Sequence, residues 1–355
     1  MARLGLAAPA LGLLGGLAGC DTVVMKPHGD IAAQQAQLIV TSTLLMLLII
    51  VPVIALTLFF AWRYREAKGE TSAGQAGTGA AYDPDWDHST KLELLIWGAP
   101  LLIIIALGAI TWISTHKLDP YRPLDRIDAR RPVAAGVKPL VVQVVAMDWK
   151  WLFVYPEQGI ATVNELAAPV DRPIEFQLTA SSVMNAFYVP ELAGMVYAMP
   201  GMQTKLNAVI NRAGTYDGFS ANYSGAGFSQ MRFKFLGLDD AGFARWVDGN
   251  RAAGTTLDRA AYLALERPSQ REPVRRYARV EPGLYGAALN RCVDGARMCL
   301  HQMMAIDAAG GAGKPGVAGL TRRPWRREDG SAAERTVVAA LCTPANPTGA
   351  PAAQP

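Results

Sequence analysis

Leu38 to Trp62 is an uninterrupted run of 25 uncharged residues, and no other stretch restricts the possible folds of this chain as much. As a helix rising about 1.5 Å per residue it exceeds a hydrocarbon core of about 30 Å, so it can span a bilayer with some tilt. Leu94 to Ile113 is a second such run, of 20 residues. Pro52 lies inside the first and Pro100 inside the second. A spanning helix tolerates proline when a neighbouring helix satisfies the freed carbonyl, which implies a packed partner. Trp62, Trp97 and Trp112 fall at or near the ends of the runs, as interfacial anchors do. Arg63, Arg65 and Lys68 follow the first run at once, and positive charge close to a span stays in the cytoplasm. The loop 63–93 is therefore expected inside, and the N-terminus and everything after residue 114 outside. An apolar content of 51% and a charged content of 18% fit a membrane protein. The formal net charge of +4 gives no reason to invoke nucleic acid.

Residues 1–19 read as a secretory signal. Arg3 supplies a minimal positive start, and Leu4 to Leu17 is apolar but too short to span. The segment ends in Leu17-Ala-Gly-Cys20, which is similar to the bacterial lipobox, where the cysteine is acylated and becomes the first mature residue. Cys20 is thus the expected lipidation site; the alternative is an ordinary cysteine behind an uncleaved helix. Beside two spans, a lipid adds little to retention. On this reading 20–37 is a periplasmic N-terminal segment, 38–62 and 94–114 are the spans, and 115–136 is a linker rich in Pro and Arg.

From Pro139 the pattern changes to strands. Leu140 to Met147 is apolar and β-branched. Pro173 to Ala180 alternates, with Ile174, Phe176 and Leu178 on one face. Leu206, Ala208 and Ile210 share a face in the next run, and Met231 to Phe235 alternates again. Short strands separated by turn signals suggest a β-sandwich or barrel over 137–238.

One loop in this region has an informative spacing. A loop that holds a mixed-valence copper pair needs two bridging thiolates, an imidazole and a thioether, in the pattern Cys-x-x-x-Cys-x-x-x-His-x-x-Met. Here those places are taken by Ser220, Ser224, Phe228 and Met231. Only the thioether remains, and residues 137–238 contain no Cys and no His. Taken alone, a Gly- and Ser-rich turn entering a strand explains the same letters. With the rest of the chain, the stretch Ser220 to Met231 resembles subunit II of the haem-copper oxidases, in the copper-less branch that oxidises quinol. A further copper ligand of the copper-binding branch falls on Asn185 in Asn185-Ala-Phe-Tyr-Val-Pro190, and the carboxylate between the two cysteines falls on Asn222. The aromatic stretch Asp148 to Glu165 resembles the strand whose first Trp accepts electrons in the cytochrome c-oxidising branch. Without copper behind it, Trp149 is expected to serve packing. Met195, Met199 and Met202, with no His or Cys nearby, are expected to fill an apolar loop.

The resemblance implies a membrane protein with two transmembrane helices, a periplasmic all-β cupredoxin-like sandwich and a short helical C-terminal arm. It implies a structural subunit of a proton-pumping ubiquinol oxidase of the bacterial inner membrane. This chain would bind no cofactor; haems and copper belong to subunit I, ubiquinol is the substrate of the complex, and smaller membrane subunits and lipid are further partners. Glu93, at the start of the second span, matches a carboxylate near a proton-uptake route into subunit I; a solvated helix-start carboxylate is the plainer reading. The alternatives are a copper-binding cytochrome c oxidase subunit II, which the ligand set opposes, and a stand-alone periplasmic lipoprotein, which needs neither two spans nor prolines inside them.

After the sandwich, 239–305 reads as the arm. Asp239 opens a helix carrying Phe243, Trp246 and Val247 on one face, and Thr255 to Asp258 has the form of a capping box into a second helix. Arg267, Arg271, Arg275, Arg276 and Arg279 form a basic run read as a solvated face. Cys292 and Cys299 are expected to form a disulfide in an oxidising compartment; with His301 and Met303 they are also the one cluster of metal-type residues. The Gly-, Ala-, Pro- and Arg-rich tail 306–355, with Cys342, reads as disordered.

Overall fold

The computed structural model describes residues 22–63, 87–306, 322–326 and 332–336. The expectations for the signal segment, Cys20, Cys342 and residues 64–86 lie outside the described residues. The chain divides into a unit at Gln34–Asp119 and a second made of the residues up to Ala33 and those from Pro120 onward.

The first unit holds most of helix α1 (Asp30–Arg63) and all of α2 (Thr90–Lys117). Both outrun the apolar stretches, adding polar turns at their ends. In each, none of the most apolar 18-residue window is buried by the rest of the chain. A core helix of a soluble protein would be covered, whereas Leu48, Leu58, Leu102 and Ile104 face outward. Apolar surface of this extent needs lipid or partner helices.

The second unit is a β-sandwich. Its strands are β1 (Leu140–Met147), β2 (Lys150–Tyr155), β3 (Ile160–Val163), β4 (Glu165–Pro169), β5 (Ile174–Ala180), β6 (Asn185–Tyr188), β7 (Val196–Ala198), β8 (Thr204–Ala208), β9 (Gly214–Ser220) and β10 (Arg232–Leu238). The arm adds α3 (Asp240–Arg251), β11 (Thr256–Leu257), α4 (Arg259–Glu266), β12 (Arg275–Tyr277), β13 (Arg279–Val280), α5 (Leu284–Leu289) and α6 (Leu300–Ile306). One sheet has the order β12-β3-β2-β1-β5-β8, and the facing sheet β4-β10-β9-β6-β7. β1 pairs in parallel with β5, from Leu140 opposite Ile174 to Ala146 opposite Ala180. The interior between the sheets is aromatic: Phe187 of β6 stacks on Phe233 of β10 at 5.3 Å, and Trp151 and Phe153 of β2 close on both. Ile174, Phe176 and Leu178 are buried together, as their alternation requires.

A second apolar cluster explains why β1 and β2 do not alternate. Val145, Met147, Leu152 and Val154 point away from the sandwich interior but are covered by Leu257, Tyr262, Leu265, Tyr277 and Tyr285 of the arm. A strand buried on both faces reads as a continuous apolar run. The arm is therefore part of the domain's packing, and β12 extends its larger sheet through Tyr277 opposite Ala161.

One local expectation changes. Thr255 does not cap α4. Thr256 and Leu257 pair with Arg279 and Val280, which keeps their backbone extended, and Asp258 becomes the cap, accepting from the Ala261 amide at 2.7 Å. The basic run Arg267, Arg271, Arg275, Arg276 and Arg279 is exposed, as a solvated face requires, and three of its members also pair on the surface: Arg276 with Glu165 at 2.8 Å, Arg275 with Glu272, and Arg271 with Gln230. In the tail, β14 (Arg322–Arg326) and β15 (Ala332–Thr336) pair antiparallel within the stretch read as disordered.

The segment before α1 and the linker after α2 are both fastened to the sandwich. The His28 and Gly29 amides donate to the Glu191 carbonyl at 3.0 and 2.9 Å, and the Asn211 amide donates to the His28 carbonyl at 2.8 Å. Asp30, 5% exposed, pairs with Arg126, and Arg131 makes two hydrogen bonds to Asp171. Asn207 donates through its amide and its side chain to the Pro120 carbonyl. Residues 28–30 are thus fastened to the sandwich and the linker by backbone and side-chain hydrogen bonds. Gly29 is essential to this fastening, because a Cβ there would come within 2.5 Å of the Val209 carbonyl oxygen and 2.6 Å of that of Leu192. Backbone atoms cannot move aside. Gly29→Val is expected to release the N-terminal segment at a local cost of about 1–3 kcal/mol. Amide hydrogen exchange at Asn211 checks this: unchanged protection would show that the segment still docks.

Candidate functional site

The loop from Ser220 to Met231 leaves β9, turns through a 3-10 segment at Phe228–Gln230, and enters β10. The Ser220 amide donates to the Met231 carbonyl at 3.1 Å, closing its base. β6 lies alongside, with Phe187 opposite Ser220, so Asn185 arrives at the same place. The structure therefore brings Asn185, Ser220 and Met231 together; all three are buried.

Hydrogen bonds fill the space. The Ser220 hydroxyl lies 3.2 Å from Asn185 Oδ1 and 3.2 Å from the Asn222 carbonyl, two acceptors for one proton. Asn185 Nδ2 donates to the Val183 carbonyl at 3.1 Å, and Asn222 Nδ2 to that of Met184 at 3.1 Å. Phe228 meets Tyr223 edge-on at 5.6 Å. Ser224 uses its carbonyl to accept from Trp149 Nε1 at 3.0 Å, while its own hydroxyl is buried without a partner among the described residues. The Trp149 indole lies on the loop so closely that a Cβ at Gly227 would overlap it, and one at Gly225, where φ is +110°, would meet it at 3.2 Å. Trp149 is thus a packing residue of this loop, itself held at a left-handed φ of 64°.

These donors do not fit a copper pair. They are hydroxyl and amide oxygens, a phenyl ring and one thioether, where copper needs thiolates and imidazoles. The other metal-type cluster does not assemble either. Cys292 and Cys299 lie at bonding distance, with Cα atoms 4.8 Å apart, and a bonded pair offers no thiolates. Among the described residues no group of three or more His, Cys, Asp or Glu could hold a metal ion.

Glu93 sits in the first turn of α2 with its side chain 51% exposed. Sequence reasoning missed its neighbour. His88 Nδ1 is 2.8 Å from Glu93 Oε1, and its Nε2 is 3.0 Å from the Thr90 hydroxyl. The ring bridges the helix start, five residues before Glu93, a spacing with no periodic signature. Lys150 was also missed. It is fully buried and donates to the Leu265 and Arg267 carbonyls at 2.9 and 2.8 Å.

A family model described as the periplasmic domain of cytochrome c oxidase subunit II matches residues 156–235, and one described as the COX aromatic-rich motif matches 251–296. The cytochrome bo(3) ubiquinol oxidase subunit 2 of Pseudomonas aeruginosa is 48% identical over 284 residues, which cover 80% of this chain and 79% of that one. The ubiquinol oxidase subunit 2 of Acetobacter aceti is 46% identical over 295 residues, covering 83% and 89%. Among solved structures, the periplasmic domain of subunit II of cytochrome oxidase from Bradyrhizobium japonicum aligns with 31% of this chain and 91% of its own, at 23% identity and a TM-score of 0.30. The chain belongs to the subunit II family of the cytochrome bo-type ubiquinol oxidases.

Proposed function

We propose that this chain is a structural subunit of a proton-pumping terminal ubiquinol oxidase and carries no redox centre of its own. The observation that carries this reading is the ligand loop closed by Ser220, Asn185 and Asn222 hydrogen bonds where copper would need soft donors. Electrons then come from a membrane-soluble donor, ubiquinol, and reach haems and copper held by subunit I. The two helices brace subunit I and smaller membrane subunits, and the sandwich covers the periplasmic face. Acylation of Cys20 adds a lipid anchor on that same side. A complex purified through this chain should oxidise ubiquinol and leave reduced cytochrome c untouched; oxidation of cytochrome c at a comparable rate would overturn the reading.

Glu93 is assigned a part in proton uptake at the cytoplasmic end of α2, with His88 orienting its carboxylate at 2.8 Å. Glu93→Ala in the assembled oxidase is expected to slow turnover and proton uptake together, with assembly intact. His88→Ala should give a smaller loss in the same direction. Unchanged proton uptake in Glu93→Ala would leave the carboxylate as a solvated helix-start residue and nothing more.

A further inference from the structure

The oxidase role leaves one polar cavity unused. It measures about 90 Å³ and lies between the residue that follows β5, helices α4 and α5, and the segment joining α5 to α6. Ser181, Glu266, Arg291, Asp294 and Arg297 supply its polar walls. Ser181 is 8% exposed, and its hydroxyl is buried with no hydrogen-bond partner among the described residues. A buried donor left unpaired is costly, so this hydroxyl is set for a ligand.

Arg291 sits at a left-handed φ of 57°, a conformation that arginine adopts rarely. It is held there by its amide, which donates to the Ala288 carbonyl at 3.0 Å, and by the Cys292 amide on the Ala287 carbonyl at 2.9 Å. The turn sets Arg291 at the mouth of the cavity, and its guanidinium makes no hydrogen bond or ion pair with a described residue. Arg297 reaches the same mouth from the loop between Cys292 and Cys299, and its Nε is 3.9 Å from Asp294 Oδ2, a loose pairing. The bonded cysteines thus brace the loop that carries one of the two cations.

Arg291, Arg297 and the unpartnered Ser181 hydroxyl line one space of the size of a small tetrahedral oxyanion, and planar guanidinium forks match such anions. We propose that this cavity is a binding site for an oxyanion of the phosphate class, held by Arg291, Arg297 and Ser181. Asp294 is one opposing carboxylate, loosely paired with Arg297 at 3.9 Å, and Glu266 is the other. It faces Arg297, Asp148, Arg291 and Asp294, and burial, more than the neighbouring acids, pushes its carboxyl above the usual range. Inorganic phosphate and the phosphate monoester of phosphatidic acid present the same chemistry.

The test uses the complete detergent-solubilised complex and equilibrium dialysis against radiolabelled inorganic phosphate. In parallel, phosphatidic acid retained through detergent washing is measured after reconstitution in nanodiscs that contain it. Saturable one-to-one phosphate binding, weakened about tenfold by Arg291→Ala and by Arg297→Ala, supports a free anion. Retention of phosphatidic acid alone, lost in the same variants, supports the lipid source. Both arginines are exposed, so neither substitution threatens the fold. Glu266→Gln should tighten binding of whichever ligand is held. No binding of either probe, binding indifferent to both arginines, or weaker binding in Glu266→Gln would overturn the proposal.

Discussion

The full-length chain, separated from its partners and dialysed after exposure to copper, should retain none. Four substitutions should reverse that result: Asn185→His, Ser220→Cys, Ser224→Cys and Phe228→His, with Met231 left in place. The geometry favours the reversal because the backbone already holds the donors' positions. Asn185 and Ser220 touch at 3.2 Å, and Ser220 and Met231 are joined by a backbone hydrogen bond at 3.1 Å. The Ser224 hydroxyl is buried and unpartnered, so a thiolate there displaces no hydrogen bond. Phe228→His gives up an edge contact with Tyr223 and places an imidazole on the same short turn. The expected outcome is a copper pair with a thiolate-to-metal absorption band in the fourfold variant and no band in the natural chain. Retention of stoichiometric copper by the natural chain would sink the redox-silent reading and redirect attention to the segment around His301 and Met303. The four-residue steps in the loop make a single substitution insufficient: two bridging thiolates are the minimum that holds two metal ions together.

The absence of thiolate and imidazole from this loop was legible because its four positions lie on one continuous stretch, where spacing alone carries the pattern. Asn185 is different: only its strand pairing beside β9 brings it to Ser220, and no local periodicity encodes that meeting. The spans were legible from length and charge. Their ends were not, since polar turns at Asp30–Gln34 and Thr90–Glu93 continue helices that the bilayer does not require. The alternation of β5 and β10 announced strands with one face inward. β1 and β2 concealed their orientation because Tyr262, Leu265 and Tyr277 cover the outer face from more than a hundred positions away. Thr255 to Asp258 matched a capping pattern, but pairing of Thr256 with Arg279 decided where the helix begins. Local pattern lost to a tertiary contact there, and the same contact order hid the cavity beside Ser181.

Lys150→Met should loosen the C-terminal arm from the sandwich. The ammonium is fully buried at the start of β2 and donates to the carbonyls of Leu265 and Arg267, where α4 ends and the chain turns toward β12. Hydrogen bonds from a charged donor contribute about 1.5–3 kcal/mol each, and a buried carbonyl left without one pays its desolvation in full. Against this stands the cost of burying the cation, which Met avoids. Burial also pulls the Lys150 pKa below its ordinary value, with Glu272 and Asp148 resisting and Arg275 adding to the fall. Two lost acceptor partners outweigh one relieved charge, so the expected loss is about 2–4 kcal/mol, or a Tm lower by about 5–12 °C for a unit of this size. The pH dependence gives a separate check. A lysine whose folded pKa lies below its unfolded value destabilises while charged, and that penalty fades as pH rises from the folded pKa toward the unfolded one. The natural chain should therefore gain stability over that alkaline interval relative to Lys150→Met. Amide exchange at Tyr277 locates the effect, because β12 is the edge strand that the arm lends to the sheet. Full protection at Tyr277 together with an unshifted Tm would mean that the Tyr262, Leu265 and Tyr285 contacts hold the arm without the lysine. Faster exchange there, with the sandwich interior still protected, would show that Lys150 is the pin.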